Sequence, residues 1–243
     1  MLTLAAGMPR AGSGWHYNLV HDLVVAGGGQ DARQIRRRYW LAPFLTEVNC
    51  NIRTLSPQRL LPVMLPSLLG NDFAVKTHSG PSRLALRFLA SGRMRTAYIY
   101  RDPRAALLSA LEYGERARAA GRVNAFSRLV TFEDGLAFMQ GYLKIWEAWL
   151  ALPSVHHMRY EDFLGNYAEQ AQSLARSLSL DPTDAAVNEV LEEHRPEKAA
   201  QAEKGGHFQH GQAERFRTAL NAQQLETANA AFAAYLPRLG YAP

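Results

Sequence analysis

Cysteine is almost absent from this chain: Cys50 stands alone in 243 residues, so no disulfide forms within it and a reducing compartment is expected. Long apolar runs are missing too. None approaches the roughly 18 residues that a membrane span needs. No Lys or Arg precedes Arg10, and Gly7 arrives too early for the apolar core of a secretory signal. The expectation is a soluble, cytoplasmic protein. Catalytic signatures are scarce: there is no G-x-S-x-G and no nucleophilic-cysteine motif. His207 and His210 lack acidic or cysteine partners at ligand spacing, and His156-His157 alternate faces if extended, so no metal site is expected. The glycine loop near the N-terminus ends in Trp15-His16 where a nucleotide-triphosphatase would carry G-K-[ST].

What is present describes one globular domain. Hydrophobic residues make up 47% and charged residues 20%, ordinary values for a packed α/β chain of this length. The net charge of +5 favours an anionic partner. β-type apolar runs at Leu2–Ala6, Phe73–Val75, Thr96–Tyr100 and Val155–Tyr160 are separated by stretches of helical periodicity. These predict helices at about 14–26, 81–91, 103–119, 134–151, 162–178, 184–194 and 222–235. The alternation implies a single three-layer α/β domain over 1–243, with a mostly parallel central sheet flanked by helices. Functional loops then belong at the carboxyl ends of the strands. The basic run Arg36-Arg37-Arg38 reads as a solvated face or a helix end. Residues 195–216 are polar and aperiodic, as in a mobile lid.

Three stretches carry chemistry. In A-A-G-M-P-R-A-G-S-G-W, Gly12 and Gly14 let the backbone approach an oxyanion, helix N–H groups point at it, and Arg10 adds a fixed charge. In Y-I-Y-R-D-P-R-A-A-L-L-S, Asp102 is a natural N-cap and Pro103 suits the first helical turn. Arg101 then stands at the strand end with Ser109 two turns along the helix, so the pair suits one phosphate. In F-A-V-K-T-H, Lys76 and His78 leave a strand end together, a cation beside a titratable imidazole. On extended backbone they point to one side.

P-R-A-G-S-G-W, K-T-H, R-D-P-R with Ser109, and R-Y-E-D-F at 159–163 resemble, in order, the motifs of sulfotransferases that use 3′-phosphoadenosine 5′-phosphosulfate. The resemblance spans residues 4 to about 226 and implies their P-loop-like fold. It implies that Arg10, Ala11, Gly12, Ser13 and Gly14 hold the phosphosulfate and that Trp15 and Tyr160 lie near adenine. It places Arg101 and Ser109 at the 3′-phosphate, which Gln209, His210 and Gly211 complete from the lid. Two departures stand out: Gly14 replaces a hydroxyl residue, and Gln209-His210-Gly211 replaces R-K-G. The implied reaction moves a sulfuryl group to an acceptor hydroxyl and leaves adenosine 3′,5′-bisphosphate, without a metal.

Within that reading His78 takes the acceptor's proton, and Lys76 and Arg10 stabilise the leaving phosphate. Glu47 is the competing base, and His16 a more remote one. The acceptor is a small alcohol or phenol of unknown identity, and no nucleic acid is expected as partner. Tyr142, Trp146 and Trp149 are expected in the core rather than on a stacking surface. The alternatives are a P-loop small-molecule kinase and a non-enzymatic nucleotide- or nucleic-acid-binding module. The oligomeric state stays open.

Overall fold

The computed structural model describes residues 1–201 and 214–242, with nothing stated for the side chains of 199–201. Gln209, His210 and Gly211 therefore lie outside the described residues, as does most of the 195–216 segment. β1 (Leu2–Gly7) is an uninterrupted apolar run and every one of its residues is buried, as a central strand covered on both faces requires. β2 (Phe73–Thr77), β3 (Met94–Tyr100) and β4 (His156–Arg159) join it in the order β2-β1-β3-β4, with all pairings parallel. The first three strands are where the sequence places them. Tyr160, expected to end the fourth, instead opens a helix.

Pairing register determines what shares a face. Lys76, Ala5, Ala97 and His156 form one row across the sheet, and Thr77, Ala6, Tyr98 and His157 form the next row on the opposite face. The two histidines do alternate faces. Helix α1 (Ser13–Ala26) packs along β1 and β2. Between it and β2 the chain forms α2 (Ala32–Arg38) and α3 (Pro57–Leu68), neither of which its periodicity announces. Arg36-Arg37-Arg38 is the last turn of α2, where cations complement the carbonyl end. α3 starts on Pro57, well suited to a first turn, but also contains Pro62 and Pro66, which mask it as a helix in sequence.

Beyond β2, α4 (Arg83–Ala90) leads to β3, and α5 (Pro103–Ala119) and α6 (Phe132–Leu150) lead on to β4. α6 carries Trp146 and Trp149, both in the core; Trp149 faces Tyr98 and Trp146 faces Tyr100. A Thr131–Asp134 capping box starts it. The helix expected at 162–178 is two, α7 (Tyr160–Gly165) and α8 (Tyr167–Ser177), divided at Asn166, whose backbone leaves the helical conformation (φ −133°, ψ 52°). α9 (Ala185–Glu193), α10 (Pro196–Gln201), α11 (Phe216–Ala219), α12 (Ala222–Phe232) and α13 (Leu236–Leu239) complete the described chain. α10 thus begins inside the segment expected to be a lid.

One buried ion pair ties the C-terminal part to the sheet. Asp102 caps α5 by accepting from the Arg104 backbone N–H at 2.9 Å, and its carboxylate meets the Arg104 guanidinium at 2.8–3.3 Å. That guanidinium also donates to Asn229 Oδ1 and to the Ala242 carbonyl, and lies 4.7 Å from the Phe216 ring centre. Arg104 is only 1% exposed. Arg104→Ala leaves a buried carboxylate without its cation, so urea denaturation should show a loss of about 3–5 kcal/mol. A loss under about 1 kcal/mol would show that water or another residue satisfies Asp102.

Candidate active site

Because the strands are parallel, Gly7, Thr77 and Tyr100 end on the same edge of the sheet, and the three motifs leave from there. The Met8 N–H donates to the Ile99 carbonyl at 2.9 Å and carries the first loop one step past β1. The chain then turns sharply: Arg10 has φ 65° and Gly12 φ 73°, both left-handed. Glycine is required at 12 for a second reason. A Cβ there would stand 2.7 Å from the Tyr160 ring. No side chain caps α1, and its first turn holds no acidic residue. The N-terminal end and dipole of this 14-residue helix therefore face the loop, an arrangement suited to an anion.

Arg10 occupies the middle of the site. Its Nε donates to Ser109 Oγ at 3.1 Å, and its guanidinium stacks 4.5 Å from the centre of Tyr113 and 5.8 Å from that of Phe126. Burial, with Arg116 and Arg101 nearby, lowers its pKa to about 10, which still leaves it charged at neutral pH. Arg101 donates from Nη1 to the Arg10 carbonyl at 3.3 Å and lies over Tyr160 at 4.6 Å. The Arg101 Nε is buried without a hydrogen-bond partner. Arg10, Arg101, Ser109 and Tyr160, read from separate motifs, thus meet in one cluster.

Lys76 lies on the neighbouring strand β2, and His78 directly follows its end. Burial, followed by the charge of Arg10, lowers Lys76 to about 8. The His78 ring sits edge-on to Tyr142, and its Nδ1 is 2.7 Å from the Gly7 carbonyl. That carbonyl can only accept, so Nδ1 carries the proton and Nε2 keeps its lone pair. Removal from water and the Lys76 charge hold His78 at about 4, against the opposing effect of the Gly7 bond. The imidazole is neutral at pH 7. Trp149 fixes the following loop by donating from Nε1 to the Ser79 carbonyl at 3.0 Å.

The other candidates separate. Trp15 is buried against Phe163 and Tyr167, and its Nε1 donates to the His194 carbonyl at 2.9 Å. Glu47 is exposed in a turn between α2 and α3. His16 is fully buried, with neither ring nitrogen hydrogen-bonded. Burial, then His156 and Lys76, lowers it to about 3, so it is a neutral core histidine.

Sequence reasoning missed Glu161, whose carboxylate accepts from the Asp102 N–H at 3.3 Å and from the Tyr241 hydroxyl at 2.5 Å. It joins the start of α5 to the C-terminal end, and its presence in R-Y-E-D-F was the available signal.

The sulfotransferase domain model matches residues 3–240. No curated protein sequence matches the chain. Among solved structures, retinol dehydratase in complex with androsterone and the inactive cofactor PAP is similar over 97% of this chain and 80% of its own, with 17% identity and a TM-score of 0.62. A mouse sulfotransferase complexed with PAP is similar over 97% of this chain and 84% of its own, with 11% identity and a TM-score of 0.58. At these identities the likeness is one of fold.

Gly12→Ala should weaken adenosine 3′,5′-bisphosphate binding at least tenfold by calorimetry, since both the backbone conformation and the Tyr160 ring oppose a side chain. Wild-type affinity in this variant would mean that the loop has room the structure does not give it. With its domain model spanning residues 3–240 and the family motifs gathered on one sheet edge, the chain belongs to the sulfotransferase family and is a transferase.

Proposed function

We propose that this enzyme moves a sulfuryl group from 3′-phosphoadenosine 5′-phosphosulfate to the hydroxyl of a small apolar alcohol or phenol, with His78 as the base. The observation that carries the base assignment is the 2.7 Å contact from His78 Nδ1 to the Gly7 carbonyl. It pins the ring at the root of the donor loop in the tautomer whose Nε2 accepts a proton. The donor supplies the activated sulfuryl group and a phosphate as leaving group.

The residues present fit such a donor. A backbone cradle at Gly12 that excludes any side chain accommodates the phosphosulfate end together with Ser13 and Gly14. The buried Arg101 Nε, which has no hydrogen-bond partner, and the nearby Ser109 hydroxyl suit the 3′-phosphate. Lys76 and Arg10 offset charge that develops on the leaving phosphate, in a site where burial strengthens electrostatics. Trp15 and Tyr160 are assigned to the adenine side. Gln209, His210 and Gly211 keep the assignment made from sequence, and the segment around them remains the proposed lid. The kinase alternative is not favoured, since no lysine–hydroxyl pair closes the loop.

The acceptor side is aromatic. Tyr113, Phe126, Phe138 and Tyr142 contact one another in sequence, with ring centres 4.9–5.6 Å apart, from Arg10 at one end to His78 at the other. Such a wall suits an apolar acceptor whose hydroxyl reaches His78. Two structures of similar fold hold androsterone and retinol, both apolar alcohols.

His78 works as a base only when neutral, so activity should fall as pH drops through about 4. Lys76 works only when charged, so kcat/KM should fall as pH rises through about 8. A profile without the alkaline limb would remove Lys76 from this role. His78→Ala should lower kcat by roughly 10²–10⁴-fold with bisphosphate affinity retained, and Glu47→Gln should be mild. A severe Glu47→Gln defect beside a mild His78→Ala one would transfer the base role to Glu47.

A further inference from the structure

The chain's charge and its exposed apolar surface are concentrated in one segment. Residues 32–70 contain six arginines and a single acid, Glu47, so they alone carry the net +5 of the whole chain. The remaining residues are balanced, with 21 basic against 21 acidic side chains. The same segment supplies six of the eleven large apolar side chains exposed among the described residues. None of these arginines or exposed apolar residues belongs to the donor cluster described above.

The segment is built as one unit. Arg36 Nε donates to the Leu45 carbonyl, and Arg33 Nε to that of Val48, which fastens the loop after α2 back onto α2. Arg59 on α3 donates to the Phe44 carbonyl, and Asn71 bridges the Tyr39 hydroxyl and the Pro66 carbonyl at 2.9 and 2.8 Å. On α3, Leu61, Leu65 and Leu68 follow at i, i+4 and i+7, so they share one face, and Leu69 extends it. All four are at least 47% exposed. Trp40, held in a left-handed turn just past Arg37 and Arg38, is 84% exposed.

We propose that this surface docks the enzyme on anionic phospholipid membranes. Leucines and a tryptophan call for an apolar medium, arginines in the same segment call for anions, and a leaflet with anionic headgroups supplies both at one boundary. A second copy of the chain fits poorly. A two-fold interface would set this patch against itself and bring arginines onto arginines. The segment also borders the catalytic strand, since Ile52 N–H donates to the Lys76 carbonyl at 3.0 Å. Docking there places the site beside a phase in which apolar alcohols dissolve. The surface is independent of which residue serves as base.

Vesicles of phosphatidylcholine alone and of equimolar phosphatidylcholine and phosphatidylglycerol provide the test, by co-sedimentation and tryptophan emission. The other three tryptophans, Trp15, Trp146 and Trp149, are at most 8% exposed, so a blue shift on binding reports Trp40. The wild type should sediment with the anionic vesicles only, with a blue shift, and release at high salt. Arg37→Ala and Arg38→Ala should each weaken binding roughly fivefold. Leu61→Glu/Leu65→Glu should abolish it while bisphosphate affinity stays at the wild-type value, which shows the variant is folded. Val123→Glu, a control on another exposed apolar residue, should bind as the wild type does. Three results would overturn the proposal: no sedimentation, equal binding to both vesicles, or a lipid-free dimer in sedimentation velocity that Leu61→Glu/Leu65→Glu dissolves.

Discussion

Close approach at Gly12 organises the rest of the site. The Tyr160 ring fills the place where any side chain on residue 12 would stand, and the same ring lies under the Arg101 guanidinium. One aromatic plane thereby sets the depth of the loop on one side and the position of a cation on the other. Arg101 in turn holds the Arg10 carbonyl, and Arg10 reaches Ser109. Loosening this contact displaces the loop, both arginines and the first turn of α1 together.

Electrostatic cost gives the cluster its character. Arg10 and Lys76 are withdrawn from water near each other, with no salt-bridged carboxylate on either among the described residues, and burial lowers both pKa values. Isolated buried cations are expensive, and a protein keeps them where an anion arrives to offset the cost. The same surroundings keep His78 neutral beside Lys76. Folding therefore holds a poised site rather than a relaxed one. The buried Asp102–Arg104 pair and the Glu161–Tyr241 contact anchor its far side through the C-terminal residues.

The elements that position this site were legible because their signals are local. A glycine loop, an Asp-Pro helix start and the apolar runs of β1, β2 and β3 mark themselves in a few residues. What stayed hidden depends on distant partners. The ring packed on Gly12 comes from residue 160, and the Arg10 side chain turns to Ser109, which its own loop does not foretell. α3 was obscured by Pro62 and Pro66, although burial of Leu60, Val63 and Met64 outweighs their local cost. The break between α7 and α8 falls within a periodic stretch, where only the non-helical Asn166 backbone separates them. The sequence puts His78 ahead of Glu47 as base; in space His78 is half-buried against the Gly7 carbonyl while Glu47 is exposed.

The proposed role of Arg101 and Ser109 is to hold a phosphate at the 3′ position of the nucleotide. Isothermal titration of the wild type with adenosine 3′,5′-bisphosphate and with 5′-AMP, at one ionic strength, tests it most directly. The bisphosphate should bind more tightly by about 1.5–3 kcal/mol, the worth of a charge-assisted contact. Equal affinity for the two nucleotides would contradict the account.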